Sequence, residues 1–240
     1  MARRRFFVPA VEHGYAEITG EDAHHLARVL RARPGQFFEV SDNRSLFLAE
    51  VESAGPKRVR LRIREALPAE PAGGEIRLLA ALIKFDRFEA VVEKATELGV
   101  SAIVPVEAAR SEKGLLAAAD RRVERWRRIA REASQQSRRM RLPEILPPCR
   151  LSDALDETAA ARCYLDEEGG EPLLRAAGET AVAFAVGPEG GWTEGERRVF
   201  QAAGWAPVSL GPGILRADTA AIAALAVLSH ALWASRIGTR

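Results

Sequence analysis

The sequence predicts an α/β protein with two parts: a small β-rich N-terminal domain and a larger domain with a mainly parallel sheet. Three observations support this fold class. Short apolar runs recur about every ten residues in the first quarter of the chain. A segment rich in proline and glycine follows, at 67–75. Beyond it, apolar strand-like runs alternate with helical patterns, which is typical of α/β folds.

The N-terminal domain is predicted from three strands and one helix. The runs 37–40, 46–51 and 59–64 are separated by turn residues, and the last of them alternates strictly between apolar and charged positions. Residues 21–31 have apolar positions at helical spacing. These elements predict a small antiparallel β unit or barrel with one helix.

The domain boundary is predicted in segment 67–75, which has two prolines, two glycines and no periodicity. The sequence therefore predicts domains at 1–70 and 71–240. In the second domain each predicted strand is followed along the chain by a predicted helix. The predicted strands are 76–83, 102–106, 162–165, 181–186 and 207–210, and the predicted helices are 87–98, 120–137, 172–176, 193–203 and 218–235.

Composition limits the classes of protein to consider. The 240 residues are 47% apolar and 28% charged, as in ordinary globular proteins. The two cysteines, Cys149 and Cys163, form no metal-ligand pair, so we expect no metal and a reducing cytoplasm. The charge-free stretch 219–235 is short and weakly apolar for a bilayer, so it predicts a buried helix and no membrane association.

The first candidate ligand loop is Gly187-Pro-Glu-Gly-Gly-Trp-Thr193, directly after the apolar strand ending at Val186. Thr193 and Glu196 have the spacing of a capping box, so a helix is predicted to begin here. A glycine-rich turn between strand and helix offers backbone groups to a ligand. The alternative is a tight turn without a ligand.

The second candidate loop, Gly211-Pro-Gly-Ile-Leu-Arg-Ala-Asp-Thr219, follows the next predicted strand and leads into the last helix. Ligands of open α/β sheets bind beyond the carboxyl ends of the strands, so the two loops are expected to line one crevice. A nicotinamide dinucleotide is disfavoured because Arg216 stands where a third glycine is needed and no further strand is predicted after this helix.

Five segments, in the same order, resemble the RsmE family of 16S ribosomal RNA uridine N3-methyltransferases. They are His25–Arg31, Lys84–Val100, Trp126–Ile145, 187–192 and 210–220. The family usually has arginine at the position of Gly213 and glutamate at that of Asp218. The resemblance covers nearly the entire chain.

The resemblance implies a SPOUT-type C-terminal domain with a trefoil knot, a PUA-like N-terminal β-barrel that binds RNA, and a homodimer. It implies S-adenosylmethionine as cofactor and 16S ribosomal RNA of the small subunit as partner. Glu189 and Arg216 are the candidate catalytic residues. The candidate cofactor-binding residues are Leu165, Gly187, Glu189, Gly190, Leu210, Gly211, Ile214, Leu215, Thr219 and Ala220.

Basic residues are unevenly spread, which favours a phosphate-binding surface over an evenly solvated one. Segment 121–141 has nine arginines and two glutamates. The candidate RNA-binding residues are Arg5, His25, Arg28, Arg31, Lys84 and Arg139. Two other hypotheses stay open: a non-catalytic RNA-binding assembly factor, and a related methyltransferase acting on another RNA.

Overall fold

The chain forms two compact units in the computed structural model, which describes residues 4–68, 74–156, 158–178 and 180–237. The first unit comprises Met1–Ala72 and Arg131–Leu142, and the second Gly73–Ala130 and Pro143–Arg240. The first unit therefore includes segment 131–142, which the predicted division into 1–70 and 71–240 assigns to the second domain. Residues 69–73 of the predicted linker lie outside the described residues.

A six-stranded sheet forms the first unit, in the order β1-β4-β5-β6-β3-β2. Neighbouring strands are antiparallel except for the parallel pair β1 and β4. In β6, Val59 and Leu61 are buried while Arg58 and Arg60 are exposed, as the alternating pattern predicts. The strands are β1 Arg5–Phe7, β2 Val11–Glu12, β3 Tyr15–Thr19, β4 Phe37–Ser41, β5 Leu46–Ala54 and β6 Arg58–Leu67.

The predicted helix 21–31 is a short α-helix continued by a π-helical turn. Helix α1 spans Gly20–His24, and the π-helical turn spans His25–Val29. The amide of Leu30 donates to the carbonyl of His25, 2.9 Å away, which is the i to i−5 bond of a π-helix. Arg31 then has a positive φ of 50°, which ends the helical conformation.

Segment 131–142 is joined to the rest of the first unit by hydrogen bonds. The Arg131 guanidinium donates to Asp22 at 2.9 Å and to the Phe7 carbonyl at 2.6 Å. The Ser41 hydroxyl donates to the carbonyl of Met140 at 2.6 Å. These bonds join residues about 100 positions apart, so no local sequence pattern predicts them.

An eight-stranded sheet forms the second unit, with β10-β8-β7-β13-β11-β14-β12 in order and β9 beside β8. Every pairing among its described strands is parallel. The mainly parallel sheet is confirmed. The strands are β7 Glu75–Ala81, β8 Ala102–Glu107, β9 Glu144–Ile145, β10 Cys149–Arg150, β11 Ala161–Leu165, β12 Glu171–Pro172, β13 Ala181–Val186 and β14 Ala206–Ser209.

Helices cover both faces of this sheet, which explains why its strands are apolar at successive positions. In β7, Leu78 packs in the core with α2, α4 and α6, whereas Leu79 packs in the core with α5. The helices are α2 Phe85–Glu97, α3 Leu115–Ala119, α4 Val123–Gln136, α5 Glu194–Ala202 and α6 Ala217–Ile237. Three 3₁₀ turns lie at Asp120–Arg122, Leu151–Ala154 and Leu173–Gly178.

Helix α6 is buried along one side only. Ala221, Leu225 and Leu228 are inaccessible in the core, but Trp233 is 57% exposed. Among the described residues, α6 is the one helix whose length and composition would suffice to cross a membrane. Its buried side packs against the sheet and α2. The predicted trefoil knot stays a prediction.

Candidate functional site

Three loops meet where β13, β11 and β14 end. These strands are neighbours in the sheet, with β11 in the middle, and all three run parallel. The two glycine loops follow β13 and β14. Because β11 lies between those strands, the loop that begins at Asp166 lies between the glycine loops. Three loops therefore line the crevice, where the sequence predicts two.

The loops enclose a cleft of about 640 Å³, including the solvent-filled space of its open mouth. Seven predicted cofactor-binding residues line it: Leu165, Gly187, Leu210, Gly211, Ile214, Leu215 and Ala220. Ten further lining residues are not among the predicted cofactor-binding residues, although five of them belong to the two predicted loops: Asp166, Glu167, Val186, Pro188, Gly191, Val208, Ser209, Pro212, Gly213 and Ala217.

Trp192 packs against the first glycine loop and joins it to the end of β11. Its indole nitrogen donates to the carbonyl of Leu165, 2.9 Å away, which joins the loop after β13 to the end of β11. A Cβ atom at Gly187 would lie 3.1 Å from the Trp192 ring, so the backbone passes the ring more closely than a larger residue allows. Gly191 has a φ of +69°, a conformation that favours glycine.

The same loop is fixed at its far end. Thr193 and Glu196 form the predicted capping box at the start of α5: the Thr193 hydroxyl accepts from the Glu196 amide, and the Glu196 carboxylate accepts from the Thr193 amide. The Arg110 guanidinium, in the loop after β8, donates to the carbonyl of Gly190 at 2.6 Å. The glycine loop is therefore fixed by neighbouring side chains.

Four predicted site residues lie outside the cleft lining: Glu189, Gly190, Arg216 and Thr219. Glu189 is half exposed, and its carboxylate forms an ion pair with Arg87 of α2. Arg216 is exposed immediately before α6, and its carbonyl accepts from the amide of Ala220. The two candidate catalytic side chains thus stand beside the cleft rather than in its wall.

Asp166 and Glu167 are the charged residues that sequence reasoning missed in the cleft. Asp166 is buried and binds Arg197 of α5 through two hydrogen bonds of 2.9 Å. Hydrogen bonding to Asp166 raises the pKa of Arg197, so the guanidinium stays charged. A signal was available, because both acids directly follow the predicted strand ending at Leu165.

The lining suits an adenosyl ligand that carries positive charge. Among the described residues that line the cleft there is no lysine, arginine or histidine, which disfavours a pyrophosphate group. Ile214 is 87% exposed and Leu215 is 42% exposed, so a ligand in the cleft would cover apolar surface. The residues present therefore fit S-adenosylmethionine.

The first unit presents a group of basic residues around its π-helical turn. His25 is half-buried, and its Nε2 lies 3.1 Å from a guanidinium nitrogen of Arg4. Arg28 and Arg31 are exposed. π-Helical turns and non-glycine residues with positive φ concentrate at functional sites. These residues form a candidate nucleic-acid interface, which we call the His25–Arg31 surface.

The remaining predicted RNA-binding residues have different surroundings. Arg5 is 3% exposed, and its guanidinium binds Glu39 at 3.0 Å and also the carbonyl of Arg138. It therefore stabilises the first unit from inside and does not belong to an exposed phosphate-binding surface. Arg139 is half-buried in the same unit. Lys84, in the second unit, is exposed at the start of α2.

Many arginines of segment 121–141 form ion pairs within the protein. At least five of them contact carboxylates: Arg122 and Arg125 with Glu89, Arg127 with Glu124, Arg131 with Asp22, and Arg138 with Glu39. Their charge is partly compensated before any partner binds. The count of arginines therefore overestimates the phosphate-binding surface on α4.

In the described part of the chain, neither a metal site nor a reactive thiol accompanies the cleft. Among the described residues, no three His, Cys, Asp or Glu side chains are grouped to hold a metal ion. Both cysteines are unpaired. Burial raises the pKa of Cys163 in β11 to about 12. This thiol is therefore protonated at neutral pH.

Two family models match the chain. The RNA methyltransferase domain matches residues 70–229, and the RNA methyltransferase PUA domain matches residues 18–64. The first match covers the second unit's cleft, and the second lies within the six-stranded sheet.

Named relatives and solved structures agree with these matches. The ribosomal RNA small subunit methyltransferase E of Mycobacterium bovis is 34% identical over 220 residues, with 88% of this chain and 84% of the relative covered. That of Synechocystis is 33% identical, with 90% and 73% covered.

Two solved structures with bound S-adenosylmethionine have the same fold. One is a Legionella pneumophila methyltransferase, with a TM-score of 0.87, 29% identity, and 96% of this chain and 98% of that chain covered. The other is the Neisseria gonorrhoeae ribosomal RNA small subunit methyltransferase E, with a TM-score of 0.85, 28% identity, and 95% and 98% covered. The chain belongs to the ribosomal RNA small subunit methyltransferase E family.

Proposed function

We propose that this chain methylates N3 of a specific uridine in 16S ribosomal RNA of the small subunit, with S-adenosylmethionine as methyl donor. The cleft at the ends of β11, β13 and β14 is the observation that carries the proposal. It combines glycine backbone, apolar surface and carboxylates, and it has no basic residue among its described lining residues. Family membership supports the same reaction.

Seven cleft-lining residues are proposed to hold the cofactor: Leu165, Gly187, Leu210, Gly211, Ile214, Leu215 and Ala220. Gly190 and Thr219 lie outside the cleft lining. Arg110 and Trp192 keep the first loop in one conformation through the bonds to Gly190 and Leu165. A site that is already ordered loses little conformational entropy when a ligand binds.

S-adenosylmethionine supplies an electrophilic methyl group when bound. The protein must then orient the uracil and stabilise the negative charge that N3 deprotonation spreads onto the two ring carbonyl oxygens. Arg216, exposed beside the cleft, is the proposed donor to such an oxygen. The Glu189 carboxylate is the proposed hydrogen-bond acceptor for the base, and its ion pair with Arg87 fixes its position.

RNA is proposed to bind the His25–Arg31 surface, with Lys84 and Arg139 as further contacts. The exposed guanidinium groups of Arg28 and Arg31 support this assignment, because contacts to phosphate orient a nucleic acid before its bases are read. Arg5 is left out because it is buried.

A homodimer in the cytoplasm is part of the proposal. The uncovered side of α6, with Trp233 more than half exposed, supports a second copy as partner. The unpaired cysteines suit a reducing compartment.

Two measurements test the function. Calorimetry with S-adenosylmethionine separates an enzyme from a non-catalytic assembly factor, since an assembly factor need not bind the cofactor. Mass-spectrometric mapping of small-subunit RNA then identifies the substrate. The methyl-uridine should be absent from a deletion strain, return with the wild-type protein and return poorly with Arg216→Ala. If the same mark persists in the deletion strain, the substrate assignment is wrong.

A further inference from the structure

A single guanidinium lies among three successive carboxylates at the cleft. Arg197 contacts Asp166 at 2.9 Å, Glu167 at 3.2 Å and Glu168 at 2.8 Å. One positive charge therefore faces three negative charges. Two negative charges are left uncompensated within this group, all in the loop that follows β11.

The three carboxylates differ in how much of their charge can act on a ligand. Asp166 lines the cleft, but its side chain is 4% exposed and both of its oxygens bind Arg197. Glu168 is 66% exposed and is not among the lining residues. Glu167 lines the cleft, is 36% exposed, and shares one Arg197 nitrogen with Asp166.

Glu167 also lies against the first glycine loop. A Cβ atom placed on Gly191 would be 2.0 Å from its Oε1 atom, so the carboxylate lies directly beside the backbone at Gly191. Glu167 is therefore held at the cleft by Arg197 and lies beside the backbone at Gly191. It brings a negative charge to a cleft whose described lining has no basic side chain.

We propose that Glu167 makes the cleft prefer the cationic sulfonium ligand over its neutral thioether product. S-adenosylmethionine and S-adenosylhomocysteine share the adenosine and the amino-acid group, and they differ by one methyl group and one positive charge. A fixed carboxylate lowers the energy of the charged ligand alone. The inference rests on the proposed function and names Glu167 as the residue that favours exchange of product for cofactor.

The test compares Glu167→Gln with the matched control Glu168→Gln, which removes a charge from the same loop outside the cleft. Calorimetry gives the affinity of each protein for S-adenosylmethionine, S-adenosylhomocysteine and sinefungin, which has a protonated amine in place of the sulfonium. Glu167→Gln should weaken both cationic ligands by about three- to tenfold and the thioether less than about twofold, as expected for one partly solvated charge pair. Glu168→Gln should keep the wild-type ratios.

A measurement on the wild-type protein avoids any effect of a substitution on folding. Its preference for the sulfonium over the thioether should shrink as salt rises from about 0.05 M to about 0.5 M, because ions screen a partly exposed carboxylate. Equal weakening of all three ligands by Glu167→Gln would identify an acceptor for the ribose hydroxyls and overturn the inference. An unchanged ratio, or one insensitive to salt, overturns it as well. Failure of the wild-type protein to bind any of the three overturns the proposed function itself.

Discussion

Replacing Arg197 by methionine tests whether the buried ion pair stabilises the second unit. Asp166 and Arg197 have side chains that are 4% and 10% exposed, joined by two hydrogen bonds of 2.9 Å. Arg197→Met leaves the Asp166 carboxylate buried without its partner. Breaking such a pair costs about 3–5 kcal/mol, so the free energy of unfolding should fall by that amount.

Urea unfolding followed by tryptophan fluorescence measures this loss, because all four tryptophans lie in the second unit. Arg198→Met is the matched control. Arg198 is 72% exposed and lies 3.7 Å from Glu194, so its loss should cost less than about 1 kcal/mol. Adding Asp166→Asn to Arg197→Met removes the unpaired charge and should restore part of the stability. Equal losses for the two methionine variants, or no recovery in the double variant, would refute the reasoning.

Three further predictions concern the glycines, the RNA surface and the thiols. Gly191→Ala should cost about 1–2 kcal/mol from its positive φ alone and weaken cofactor binding. Gly195→Ala, in α5 outside the cleft lining and without a positive φ, should leave the calorimetric affinity unchanged. Arg28→Gln and Arg31→Gln should each lower the slope of log RNA affinity against log salt by roughly 0.7, and an unchanged slope excludes that contact. Because burial raises the Cys163 pKa to about 12 from 9.0, this group stabilises the fold below pH 9 and loses that contribution from pH 9 to 12. A thiol reagent at pH 8 should therefore label Cys163 only after unfolding, and two labels in the folded protein would contradict this.

Features encoded by neighbouring residues could be predicted from the sequence. The strand 181–186 is predicted at its observed bounds, and the Thr193 and Glu196 capping box forms as its spacing indicates. Both depend on residues that are adjacent or three positions apart. The helix predicted at 21–31 contains a π-helical turn at His25–Val29, which the spacing of apolar residues does not distinguish from an α-helix.

Contacts between distant residues could not be predicted in this way. Arg5 looks like part of a basic N-terminal segment, but its partner Glu39 is 34 residues away, in a strand that runs beside it. Charge counts along the chain likewise assign Arg122 and Arg125 to a phosphate surface, although both pair with Glu89. A count of basic residues therefore overestimates the charge available to RNA wherever the fold brings carboxylates to them.

Strand order explains the main difference between the predicted cleft and the observed one, which is the loop after β11. Both glycine loops are recognisable in the sequence, but nothing local indicates that β11 lies between β13 and β14. That placement brings Asp166 and Glu167 into the cleft, and Arg197 of α5 holds them there. The glycine loops therefore supply the shape and backbone groups of the site, while the β11 loop supplies its charge. A cleft built from the glycine loops alone would accept an adenosyl ligand of either charge, so selection between cofactor and product depends on the strand order.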